Sequence, residues 1–295
     1  MSKFHYLQLD VFPARRGGGN PLGVVVDARG WSAADMQAFA AWTNLVETTF
    51  LLPSSRAEAS YRVRIFTPTR EIPFAGHPTI GSAHAALVTG FVKSANGMLV
   101  QECAAGLLPI KIEGNDFERE LFVQAPAARV ADFTRTHPDY LAAALDGQTL
   151  GTLPPALIEG GRRWWVAEFA EEAGVRSWQP DHAAISALAR ADDCLGLCVF
   201  ARCRNTNYDL VVRAFPAGVG IVEDPASGAA NGLIAAWIAH SERSGALSRG
   251  YRVSQGREIG HDAAITVRIE EGDVWVGGRT DIVVDGTLSW PLSDS

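Results

Sequence analysis

Two stretches of this chain run in the same order: RIFTPTREIPFAGHPTIGSAHAAL from Arg64 and RAFPAGVGIVEDPASGAANGLIAAW from Arg213. Each begins with Arg-x-Phe closing a strand, passes through a loop to x-Pro-x-x-Gly-small-Ala, and continues as an apolar helical run. Aligned in this way, His77 stands opposite Asp224, Pro78 opposite Pro225, Gly81 opposite Gly228, Ser82 opposite Ala229 and His84 opposite Asn231. The copies lie half a chain length apart in 295 residues. That spacing points to duplication of one supersecondary unit, and so to two domains of similar fold.

Proline is tolerated in the first turn of a helix, where its missing N–H is no loss, so His77 and Asp224 are expected at or just before a helix N-terminus. The positive dipole end and the unpaired N–H groups there suit an anion or oxyanion, and the small residues let a substrate approach the backbone. The runs PTIGSAHAALVTG and PASGAANGLIAAWIAHS contain no Asp, Glu, Lys or Arg. Neither has the charged face of a surface helix, so each is expected to be enclosed by strands. Two such units facing each other would bring two helix N-termini, His77 and Asp224 to one cleft.

Strands are read in YLQLDVF, LGVVVD, ETTFLLP, YRVRIFTP, LLPIKIEG, ELFVQA, RRWWVAEF, LGLCVFAR, YDLVVRAFP, AAITVRIEEG and DVWVGGRTDIVVDG. Helices are read in SAADMQAFAAWTN with Ser32 as N-cap, after Pro78 and Pro225, in HPDYLAAALDG and in QPDHAAISALARA. TRTHPDYLAAALDGQTLGTLPPAL is a looser stretch, and ARRGGGNP reads as a mobile loop, its glycines matching no phosphate-binding motif. His84 reads as a core histidine, and Trp164 and Trp165 as strand packing.

Apolar residues make up 47% and charged residues 20% of a chain with net charge −7. This is the composition of a globular protein. Nucleic acid is disfavoured as a partner, because the 26 Lys and Arg are scattered and form no basic face. No window is apolar enough for a membrane span, and the N-terminal segment reads as a strand without a leader, so a cytoplasmic protein is expected. Of the four cysteines, Cys194, Cys198 and Cys203 cluster in CLGLCVFARC, whose spacing fits no zinc pattern. They read as structural.

GNPLGVVV (19–26), NLVETTFLL (44–52), RIFTPTREIPFAGHPTIGSAHA (64–85), VEDPASGAANG (222–232), QGREIGH (255–261) and VWVGGRT (274–280) resemble, in order, the signatures of the PhzF-like phenazine-biosynthesis family. That family is related in fold to diaminopimelate epimerase. The resemblance implies an α+β protein of two pseudo-symmetric domains, each a β-barrel-like sheet wrapped around a central helix: residues 1–118 with 281–295, and residues 119–280. It further implies a homodimer, an active site between the domains, no metal and no organic cofactor. The implied reaction is proton movement on a cyclic, amino-acid-like substrate, with the glutamate of ETTF, Glu47, as catalytic carboxylate. His77 and Asp224 would hold or relay the proton and orient the substrate. Asn20 and the backbone near Gly76, Gly228 and Ala229 would bind the substrate and the negative charge developing on it.

Read on its own, Glu47 is the sole charge in an apolar strand-like run. It is either a carboxylate whose pKa desolvation raises towards the range useful for proton transfer, or an edge-strand carboxylate facing water. Two residues depart from the family pattern. Ala229 stands where a serine is frequent, removing a hydroxyl, and His261 stands where an arginine is common. Related epimerases use a thiol pair across the cleft, yet residues 71–87 and 222–232 contain no cysteine, so a two-thiol racemase is not expected. Three functions are consistent with these residues: an isomerase acting on a small carboxylate-bearing cyclic or amino-acid-like metabolite, a lyase losing water from the same site, and a small-molecule-binding protein without turnover.

Overall fold

The computed structural model describes residues 2–115, 118–131, 136–204, 207–242 and 244–292, so the first two residues of the looser stretch, 134 and 135, lie outside the described residues. The chain divides into two compact units, Met1–Gln124 with Gly277–Ser295, and Ala125–Val276.

In the first unit, β1 (Ser2–Val11) pairs antiparallel with β2 (Asn20–Val26) and with the C-terminal strand Thr280–Trp290. A crossover through α1 (Ala33–Thr43) returns the chain to β3 (Glu47–Leu52), parallel to β2. Antiparallel β4 (Tyr61–Phe66) and the short β5 (Glu71–Ile72) follow. A second crossover, through α2 (Gly76–Val88), leads to β6 (Met98–Cys103), parallel to β4, and the meander β7 (Gly106–Glu113) and β8 (Glu120–Gln124) completes the sheet.

The uncharged α2 is enclosed: it touches β1, β2, β3, β6, β8 and the C-terminal strand, and all of His77–Ala83 is buried. Small side chains permit this closeness. A Cβ added at Gly81 would come within 2.5 Å of Leu22 Cδ2 and 2.9 Å of Val11 Cγ2. By contrast α1 lies outside the sheet, opened by a reciprocal cap in which Ser32 Oγ accepts from Asp35 N (3.1 Å) and Asp35 accepts from Ser32 N (3.2 Å); such a cap contributes about 1 kcal/mol. Beneath α1 an aromatic cluster of Trp31, Phe39, Phe50 and Phe66 forms a second core.

The second unit repeats the connectivity. Its β9 (Arg129–Val130) pairs with β10 (Ala156–Gly160), and β10 runs antiparallel to β11 (Arg162–Glu168). After α3 (Pro138–Ala144), which precedes β10, the helices α4 (Glu172–Ser177) and α5 (His182–Ala191) carry the crossover from β11 to parallel β12 (Leu197–Arg202). Antiparallel β13 (Leu210–Phe215) then crosses through α6 (Gly228–Ser241) to parallel β14 (Gly250–Gln255), followed by β15 (Ala263–Glu270) and β16 (Asp273–Gly278). The enclosed helix is α6, held against β9, β10, β11 and β15. Trp164 and Trp165 are both buried within β11.

Several expectations change. DVWVGGRTDIVVDG is two strands, broken after Gly278 (φ 155). β6, β10 and β14 escape the sequence reading, and in β6 and β14 the reason is that buried Gln101 and Gln255 spoil the alternation expected of a half-buried strand. ARRGGGNP is tied down: the Gly17 and Gly19 N–H groups donate to the buried Asp10 carboxylate at 2.5 and 2.7 Å, and Gly18 N donates to Arg15 O at 2.8 Å. A side chain at Gly19 would collide with the Val11 carbonyl, so glycine is required there.

Candidate active site

In the first unit three side chains converge at the start of α2. α1 ends on Asn44, in the left-handed conformation (φ 54) that reverses the chain towards β3, and Glu47 is the first residue of that strand. Its side chain is only 9% exposed. Ala75 (φ −152, ψ 145) is the N-cap of α2, and it offers no side-chain acceptor. Gly76 opens the helix and His77 follows within the first turn. His77 Nε2 lies 3.3 Å from Glu47 Oε2, close enough for an ion pair but outside the geometry of a hydrogen bond. Asn20, the first residue of β2 and wholly buried, directs its Nδ2 at His77 Nδ1 at 3.2 Å.

Burial pushes the His77 imidazole down from its usual 6.5 to about 3, so His77 is neutral. The first unit therefore holds a nearly dry carboxylate beside a neutral imidazole, at a helix end whose backbone N–H groups no side chain caps. Such a group can exchange a proton with a bound molecule while amide N–H groups receive negative charge.

In the second unit Asp224 is anchored by its main chain: its N–H donates to Ala214 O at 2.9 Å, and its Oδ1 accepts from Ala226 N at 3.1 Å. Ser227 is the N-cap, taking the Ala230 N–H at 3.4 Å; Gly228 is the first residue of α6 and Ala229 is exposed beside it. A single buried side chain, Gln255, fastens this loop. Gln255 Nε2 donates to Asp224 O (2.8 Å), while its Oε1 accepts from Asn231 Nδ2 (3.0 Å) and Ser227 N (3.3 Å). In the first unit Gln101 does the same for α2, donating to Thr79 Oγ1 at 3.0 Å and accepting from Tyr61 OH at 2.9 Å.

These glutamines correct the alignment of the repeats. Arg64 matches Arg213 in the strands, but in the helices Gly76 matches Gly228 and Thr79 matches Asn231, so His84 is not the partner of Asn231. The cause is a longer connection in the second copy, 216–227 against 67–75, which accommodates a 3-10 turn at Ala217–Val219. Consequently Pro225 precedes the cap of α6, whereas Pro78 lies inside α2. His84 is largely buried, and its pKa falls to about 4 through desolvation and the nearby Arg119, with Asp281 opposing.

Gln255 stands in the recognised QGREIGH run, yet nothing in sequence spacing shows that it reaches back to Asp224. Among the described residues no group of three or more His, Cys, Asp or Glu is placed to hold a metal ion, and no helix is long and apolar enough to cross a membrane. All four cysteines are free. Burial pushes the Cys194 thiol up to about 11 and Cys198 higher still.

A family model described as phenazine biosynthesis-like protein matches residues 9–286. The chain is 31% identical to antisense-enhancing sequence 1 of Schizosaccharomyces pombe, over 97% of this chain and 99% of that protein. It is 32% identical to the trans-2,3-dihydro-3-hydroxyanthranilate isomerase of Pseudomonas aeruginosa, over 90% of each. The crystal structure of a PhzF-family protein from Bacillus anthracis superposes with a TM-score of 0.84 at 24% identity, over 98% of this chain and 100% of that one. The fold is thus the expected α+β, epimerase-like one.

Proposed function

Because the chain belongs to the PhzC-PhzF phenazine biosynthesis-like family, whose relatives include named isomerases, we propose that this isomerase needs no cofactor and uses Glu47 to move a proton between two atoms of its substrate. The substrate is a small, carboxylate-bearing cyclic or amino-acid-like metabolite. The observation that carries this reading is the Glu47 side chain, 9% exposed, with its carboxylate 3.3 Å from a neutral His77. Desolvation strengthens a base for carbon acids, and a neutral neighbour leaves its proton free to be given back.

Asp224, in this reading, orients the polar groups of the substrate, and the backbone near Gly76, Gly228 and Ala229 receives the charge that develops on it. With alanine at 229, the chain binds a substrate that does not depend on a hydroxyl there. A thiol mechanism has no support, since burial holds the Cys194 and Cys198 thiols protonated near neutral pH. The four free cysteines fit work in a reducing compartment, the cytoplasm. The consecutive exposed residues Ile282, Val283 and Val284, at 38, 54 and 44%, support a C2 dimer, which light scattering would test against a mass near one chain.

The test starts from the substrate named for the 32%-identical relative, with close carboxylate analogues as alternates. Conversion in D2O is expected to place deuterium on the product and to survive exhaustive chelation. Glu47→Gln keeps shape but removes the base, and turnover is expected to drop by at least about 10²-fold with little change in binding. Asp224→Asn slows the reaction less. Undiminished turnover by Glu47→Gln would refute the assignment.

A further inference from the structure

We infer that Asn20 is a positioning residue that fixes His77 in its Nε2–H tautomer, making His77 a hydrogen-bond donor towards Glu47 and not a carrier of the transferred proton. The argument starts from what each atom can do. The amide Nδ2 of Asn20 has only hydrogens to offer, and it sits 3.2 Å from His77 Nδ1. His77 Nδ1 must therefore accept, so the single proton of the neutral ring resides on Nε2. Three further observations agree. His77 is 5% exposed, so water does not supply an alternative partner for Nδ1. Its depressed basicity keeps the ring from carrying a second proton. Nε2 itself has no hydrogen-bond partner in the structure, although Glu47 Oε2 is 3.3 Å away.

A buried N–H left unmatched costs on the order of 1–3 kcal/mol, and the unspent donor here faces the carboxylate from which proton transfer is proposed. A small rotation of Glu47 would complete an Nε2–H···Oε2 hydrogen bond. That bond favours the carboxylate over the acid and turns it towards the substrate; the proton stays on the carboxylate–substrate path throughout. Asn20 itself is placed by the loop that Asp10 closes through Gly17 and Gly19, immediately before β2. The tautomer follows from the Asn20 amide presenting its Nδ2 to the ring, while its catalytic consequence rests on the proton-transfer reading of Glu47.

The experiment is long-range 1H–15N correlation on the intact, histidine-labelled protein without substrate, with the His77 signals assigned by their loss in His77→Gln. The expected pattern has the protonated nitrogen at Nε2, and Asn20→Asp, which replaces a donor by an acceptor, moves the proton to Nδ1. A wild-type Nδ1–H pattern overturns the inference whatever the fate of the variant. The kinetic arm separates the two roles of the ring: glutamine can donate but cannot relay a proton. His77→Gln is expected to stay within about 10-fold of wild-type kcat, with His77→Leu losing on the order of 10²-fold. Equal losses in the two variants would overturn the donor role, and they would leave the Glu47→Gln result untouched.

Discussion

Arg213 and Glu223 meet in two parallel hydrogen bonds of 2.9 and 2.8 Å, with side chains only 5% and 4% exposed. The same pair recurs in the first repeat as Arg64 and Glu71, at 2.8 and 2.7 Å, but there the side chains are 27% and 37% exposed. Breaking a buried pair leaves an uncompensated charge, at a cost of about 3–5 kcal/mol, whereas an exposed pair contributes about 0–1 kcal/mol. Arg213→Met is therefore expected to unfold in far less urea than Arg64→Met. Equal midpoint shifts would contradict the difference in burial.

Gln255 fastens Asp224, Ser227 and Asn231 at once. In Gln255→Leu each orphaned polar group costs about 1–3 kcal/mol, and, on the proposed role of Asp224 in orienting the substrate, a displacement of about 1 Å there lowers turnover on the order of 10²-fold. We expect both a lower Tm and a kcat loss that persists well below the new Tm. A loss of stability with unchanged kcat would show that the Asp224 loop holds its shape without Gln255.

Two nearby glycines separate backbone strain from collision. Gly256 (φ 90) and Gly260 (φ 84) both have positive φ, but an added Cβ at 256 would lie 2.6 Å from Pro225 O, and at 260 it would meet nothing within 4 Å. Gly260→Ala is expected to cost about 1–2 kcal/mol from conformation alone. Gly256→Ala adds the clash, so it costs more, and, on the proposed role of Asp224, it is expected to slow turnover by pushing Pro225 and with it Asp224. Denaturation and kinetics on the two variants compare these directly.

His84 predicts a pH dependence. Its folded pKa is about 4 against the usual 6.5, chiefly through burial, then Arg119, with Asp281 opposing. A lowered folded pKa means that the unfolded chain takes up the proton first. The contribution of His84 is complete above about pH 6.5, and it is lost as the pH falls through 6.5 to about 4 at roughly 1.4 kcal/mol per unit. His84→Gln should flatten this part of the stability profile. A profile as steep as that of the wild type would assign the slope to other groups.

The enclosed helices were legible because their lack of charge reports on their surroundings at every turn, and α2 and α6 are buried as that lack requires. For Glu47, one charge in an apolar strand left a buried and a water-facing carboxylate equally open, and only the structure finds the residue 7% exposed. Gln101 and Gln255 were not legible. Each is a polar residue pointing inward for the sake of one helix turn far away in sequence, which periodicity scores as a break in the strand. Likewise the approach of Asn20 to His77 depends on where β2 lies beside the first turn of α2. Spacing along the chain carries no trace of it, and the alignment of the repeats could not show that the helices had slipped against the strands.

β1 pairs along its whole length, from Ser2 opposite Trp290 to Val11 opposite Thr280, with the strand that closes the first unit. During synthesis that partner leaves the ribosome only after every residue of the second unit. The half of the molecule encoded first is thus the last to be able to finish, and Glu47, His77 and Asn20 wait in an unclosed sheet until it does. A nascent chain halted before residue 280 would carry a second unit free to fold and a first unit with an open edge beside β1, the kind of exposed strand that chaperones bind and that aggregation recruits.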